Sequence, residues 1–93
     1  MSCLVTSVFT FKIESTFDEW AAVYDSEENI KMMKETGMTC LYKGVNKEDP
    51  TSVIVIEQGE EGKAIAMFKD PEVKPLIESA GHIYDSTVIS SYF

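Results

Sequence analysis

Residues 3–13, CLVTSVFTFKI, alternate with a period of two. Cys3, Val5, Phe9, Phe11 and Ile13 fall on one side, and Leu4, Thr6, Val8, Thr10 and Lys12 on the other. That is a strand with one strongly apolar face and one mixed face. The period then changes. Phe17, Trp20, Ala21 and Tyr24 recur at i, i+3, i+4 and i+7, the spacing of a single helical stripe. Ser15 or Thr16 supplies an N-cap, and Asp18 and Glu19 place acids in the first turn, where the helix dipole favours them. Asp25-Ser26 interrupts the helix, Ser26 caps a second segment carrying Ile30 and Met33, and Gly37 ends it.

A second strand is predicted over 38–46, MTCLYKGVN, followed by a polar break at KEDP. The run SVIVIEQ, 52–58, is β-branched and apolar on both faces, as expected of a central strand. After the turn GEEG at 59–62, Ala64, Ile65, Met67 and Phe68 return to helical spacing, Pro71 breaks it, and PEVKPLIESA leads to a stop at Gly81. From His82 to Phe93 the chain alternates again, with Ile83, Thr87, Ile89 and Phe93 on one face. No internal repeat or linker is visible, so residues 1–93 read as one domain. The order β-α-β-β-α-β is the ferredoxin-like arrangement, an α+β fold with a four-stranded antiparallel sheet and helices on one face.

That arrangement leaves a second sheet face to account for. Leu4, Val8 and one row of 53–56 would lie in water, and an apolar patch of that kind marks an interface. The last strand, long and ending TVISSYF, has no Lys or Pro to block its free edge. The expectation is a homodimer in which two sheets pack face to face and the terminal strands are shared, a dimeric α+β barrel.

Composition narrows the partners. Sixteen acids stand against eight bases for a net charge of −8, and every base is Lys. Such a surface repels phosphate backbones and lacks the arginine fork suited to phosphate, which argues against nucleic acid and anionic membranes. The N-terminal stretch has neither a basic region nor a cleavage motif, and no apolar run approaches 18 residues. A cytoplasmic location is expected. Cys3 and Cys40 read as small buried hydrophobes. No metal-ligand spacing occurs and one His cannot form a His cluster, so no metal and no cofactor is expected.

Element order and length resemble the dimeric α+β barrel superfamily, whose members include antibiotic-biosynthesis-type monooxygenases and stress-responsive barrel proteins. A closer likeness spans nearly the whole chain. Phe17-x-x-Trp20 followed by Tyr24-Asp25-Ser26, the Gly44-Val45…Asp49-Pro50 turn, and Gly81-His82-Ile83…Ser86-Thr87 resemble a family of short, uncharacterised proteins from marine bacteria, mostly cyanobacteria. The resemblance implies the fold and brings no activity.

Four residues are candidates for a ligand pocket between helices and sheet: Trp20, Tyr24, Tyr42 and His82. Trp20 and Tyr24, one turn apart, offer an apolar wall with two polar tips, although aromatics so placed also build ordinary cores. Met32, Met33, Met38 and Met67 can line the same region. Tyr42 and Cys40 share a face of the second strand at period two, and sequence does not say whether that face meets the helices. His82, the sole histidine, is followed by Tyr84 and Asp85, but the trio does not form a catalytic group on a regular strand. Asp85 points to the opposite face, and Tyr84 lies about 7 Å along the strand. His82 is therefore either a pocket residue or a structural one at the helix end. No nucleophile motif or phosphate loop is present. Two functional classes remain. One is a homodimeric small-molecule binding or interaction module. The other is a cofactor-independent monooxygenase-like or isomerase-like enzyme for an apolar or aromatic molecule, with His82 or a Tyr as proton acceptor.

Overall fold

The structure is a computed structural model and describes residues 3–93. Its elements are β1 (Leu4–Ile13), α1 (Phe17–Tyr24), α2 (Glu27–Thr36), β2 (Thr39–Val45), β3 (Ser52–Glu60), α3 (Lys63–Lys69), α4 (Lys74–Ser79) and β4 (His82–Tyr92). The four strands form one antiparallel sheet in the order β2-β3-β1-β4. This is the ferredoxin-like α+β fold anticipated above, with β1 and β3 internal and β4 at an edge.

Local chemistry sets the boundaries. Thr16, rather than Ser15, caps α1. Its hydroxyl accepts from the Glu19 amide at 3.1 Å, and the Glu19 carboxylate accepts from the Thr16 amide at 3.1 Å, a reciprocal capping box. Ser15 instead donates to the Ala80 carbonyl at 2.7 Å and so closes the end of α4. Ser26 caps α2, and Gly37 ends it with a left-handed φ of 74°.

Each sheet face follows from β1. Val5, Ser7, Phe9, Phe11 and Ile13 are buried under the helices. The first four meet Gly59, Glu57, Val55 and Val53 of β3 in register, and the Ile13 amide donates to the Thr51 carbonyl at 2.8 Å. Trp20, Met33, Met38, Ala64 and Ala80 complete this core. The opposite face carries Leu4 at 59%, Tyr42 at 58%, Val88 at 61% and Tyr92 at 58% exposure.

Two irregularities reverse expectations based on strict alternation. In β2 the register slips between Cys40, opposite Glu57, and Tyr42, opposite Ile56. The extra residue, Leu41, puts Cys40 on the helix face and Tyr42 on the open face, so the two do not share a side. In β4, Ile83 pairs with Lys12 and Val88 with Thr10, so Tyr84–Thr87 all lie opposite Phe11. Three extra residues invert the parity. Ile83 therefore belongs to the open face and Ile89, opposite Phe9, to the helix face. Hydrogen bonds hold the bulge. Ser86 donates to the Ile83 carbonyl at 2.6 Å and accepts from the Lys12 amide at 2.8 Å. Cys3 also departs from expectation: it precedes the sheet register and is exposed, while Cys40 is half-buried.

Candidate functional site

Between the helices and the sheet lies a cavity of about 90 Å³. Its floor is Phe9 and Phe11 of β1 with Val55 and Glu57 of β3. Trp20, Val23 and Tyr24 of α1 and Asn29 and Met32 of α2 form one wall; Met67 and Phe68 of α3 and Leu76 and Ile77 of α4 form the other. The second wall is the more lightly anchored: α3 buries only Ala64, and α4 buries no residue. His82 closes one end.

The lining is an aromatic series. Trp20 stacks on Tyr24 with centroids 5.0 Å apart and tilts against Phe11 at 5.5 Å. The His82 ring lies flat on Phe11, 3.7 Å away with an interplanar angle of 7°. Phe68 tilts over His82 at 5.8 Å and stacks on Tyr84 at 4.5 Å.

His82 Nε2 is 2.7 Å from the Thr87 hydroxyl, and that hydroxyl donates its one proton to the Tyr84 carbonyl at 2.8 Å. The Thr87 oxygen must then accept from His82, which makes Nε2 the protonated nitrogen and leaves the lone pair on Nδ1. The bulge is what makes this possible, because it folds Thr87 back toward His82. Burial lowers the imidazole pKa to about 4. The ring is neutral at physiological pH and a weak base.

At the other end Tyr24 donates to Glu57 Oε2 at 2.5 Å. Burial, then the neighbouring Glu57 side chain, holds the Tyr24 phenol above its ordinary range. Burial likewise pushes the Glu57 carboxyl up, opposed by the Tyr24 hydrogen bond. Asn29 Nδ2 donates to the Tyr24 carbonyl at 2.6 Å and ties α2 to the end of α1. Glu57 sits opposite Ser7, and His82 stacks on Phe11. Four residues of strand, about 13 Å, separate the two polar ends. Among the described residues no group of three His, Cys, Asp or Glu is placed to hold a metal ion, and no helix is long and apolar enough to cross a membrane.

A family model described as a domain of unknown function, DUF3764, matches residues 4–93. The chain belongs to that family. No curated protein matches the DUF3764 chain by sequence, but solved structures match its fold. SnoaB, a cofactor-independent oxygenase from Streptomyces nogalater, superposes with a TM-score of 0.67 at 13% identity, covering 97% of this chain and 91% of that one. A NIPSNAP family protein from Agrobacterium tumefaciens gives 0.65 at 13% identity, covering 98% and 92%. A proposed antibiotic biosynthesis monooxygenase from Deinococcus radiodurans gives 0.53 at 16% identity, covering 96% and 90%. Identities this low show a shared fold.

Of the four candidates, the DUF3764 structure brings Trp20, Tyr24 and His82 to one cavity, together with Met32 and Met67. Tyr42 is not there. It lies on the open face opposite Ile56, folded over Gly44. Met33 and Met38 are core. The sequence pattern assigns Glu57, with the other acids of EQGEEG, to the solvated surface; the structure corrects this, because Glu57 is buried on the helix face of β3. The strand period does place Glu57 on the same face as Val53 and Val55, but whether that position is covered depends on β1, β2 and α1.

Proposed function

We propose that this DUF3764 protein is a homodimeric binding module for a small, planar, largely apolar molecule held between the helices and the sheet. The supporting observation is the cavity itself, walled by Phe9, Phe11, Trp20 and Phe68 and polar only at Asn29, the Tyr24–Glu57 pair and His82. Few oriented polar groups in an apolar shell is the pattern of small-molecule sites. A base as weak as His82 suits a wall better than a proton abstractor. Dimerisation is supported by the exposed Leu4, Val88 and Tyr92 of the open face and by the unblocked edge of β4.

Trp20 is the only tryptophan and lines the cavity, so its emission reports occupancy. Naphthalene-sized apolar compounds are expected to shift it saturably, and Leu76→Phe, which adds bulk to the cavity without a second indole, to weaken the response. A panel that leaves Trp20 emission unchanged at near-millimolar concentration refutes the reading. The fold shared with SnoaB and the presence of His82, Trp20 and Tyr24 in one cavity favour a second reading, a cofactor-independent oxygenase for an aromatic substrate. It requires oxygen uptake with electron-rich naphthols that is lost in His82→Ala; uptake at the uncatalysed rate rejects it.

A further inference from the structure

Glu57 is a carboxyl without a countercharge. It is 4% exposed and faces Ser7 and Cys40 across the neighbouring strands. Neither ion pair among the described residues includes it. Lys43, the cation on the helix face of β2, is 3.1 Å from Asp25 and sits over the Tyr24 ring, 5.7 Å from its centroid. The lining of the cavity that Glu57 borders contains no Lys, and the Asn29 amide is committed to the Tyr24 carbonyl. Burial with no cation beside it disfavours the carboxylate relative to the neutral acid, an effect opposed by the Tyr24 hydrogen bond. The Tyr24 proton goes to Oε2, which leaves the acid's own proton on Oε1. Oε1 has no partner among the described residues, yet no buried side-chain oxygen there is both sealed off and unbonded. Oε1 therefore keeps some accessible surface, and Glu57 lines the cavity. A neutral acid in that position is a hydrogen-bond donor lacking an acceptor.

We propose that Glu57, backed by Tyr24, donates a hydrogen bond to a carbonyl or quinone oxygen of the ligand, which makes the ligand a neutral aromatic ketone or quinone. The proposal rests on the cavity being a ligand site. A buried donor left unpaired is penalised more heavily than a formed hydrogen bond is rewarded, so the site discriminates against a hydrocarbon of the same shape. An organic anion finds no cation at this end. An ammonium would need Glu57 ionised inside the apolar shell.

Three isosteric probes separate these cases: α-tetralone, tetralin and α-aminotetralin, titrated into the intact protein and followed by amide chemical shifts. α-Tetralone is expected to bind about tenfold tighter than tetralin. Glu57→Gln, which keeps a donor, preserves that preference, and Glu57→Leu removes it while tetralin still binds. The preference weakens as pH rises and Glu57 ionises. Equal binding of ketone and hydrocarbon to the wild type overturns the proposal. A preference for the amine that both variants lose overturns it in favour of a cationic ligand. If none of the three probes binds, the cavity reading itself falls and takes this one with it. If tetralin alone binds, the cavity stands and the donor role fails.

Discussion

Replacing His82 by glutamine takes the only imidazole out of the cavity wall, and the pH dependence of stability should change with it. The folded ring is 8% exposed, stacked on Phe11, and titrates near 4 because burial disfavours its charged form. Once the chain unfolds, the ring returns to an ordinary value of about 6.5. Between those values the unfolded state binds the extra proton, so the depressed pKa favours folding fully above about pH 6.5 and progressively less as the pH falls toward 4. At pH 4.5 the linkage amounts to about 2.5 kcal/mol relative to pH 7.5, at about 1.4 kcal/mol per unit. Glu57 acts with the opposite sign. Its raised carboxyl makes stability decline as the pH climbs past the ordinary carboxylate range. About 13 Å of strand separates it from His82, and it is present in both proteins, so it cancels in their difference. Urea unfolding followed by Trp20 emission at pH 4.5 and 7.5 gives the four stabilities needed. The wild type is expected to lose about 2.5 kcal/mol more than His82→Gln on acidification. A difference below about 1 kcal/mol would mean that His82 takes up its proton in place, and the picture of a desolvated imidazole would be wrong.

Tyr24→Phe strips the Glu57 carboxyl of its hydrogen-bond partner and should cost about 1–2 kcal/mol in urea unfolding; combined with Glu57→Leu, the cost should largely vanish, and strict additivity would contradict the pairing. Gly81→Ala places a Cβ at φ +88, 2.6 Å from Ser15 Cβ and 2.9 Å from its backbone nitrogen. A loss of about 2 kcal/mol or more is expected, visible as a melting temperature lowered by roughly 10 °C or more, and an unchanged melt would show that the Ser15 contact yields freely. Val88→Lys, at a position 61% exposed on the open face, should shift sedimentation velocity profiles from dimer to monomer; a wild type that already sediments as a 10.4 kDa species rules out the dimer.

Legibility differed between the elements and the site. The βαββαβ order, the Ser26 and Gly37 limits of α2 and the apolar face of β1 were readable because each rests on neighbours in the chain. Trp20 and Tyr24 were recognisable as one stripe for the same reason. Tyr42 was not placeable. Its side depends on Leu41 being accommodated as a bulge, which only pairing with β3 decides. The bulge at Tyr84–Thr87 hid the His82–Thr87 hydrogen bond in the same way, since a regular strand keeps residues five apart on opposite faces.

By itself the sequence determined the periods, the caps and therefore the kind of layers the chain forms, because amphipathicity and end-capping are settled within a few residues. It also determined a net charge of −8, since charge is additive whatever the fold. Only the tertiary structure decided the chemistry of the cavity. A glutamate at the end of an apolar run looks like a strand's solvent end. It becomes a desolvated acid when β1, β2 and α1 close around it and Lys43 of β2 is held by Asp25. Desolvation is a property of all the neighbours together, and no local pattern of residues encodes it.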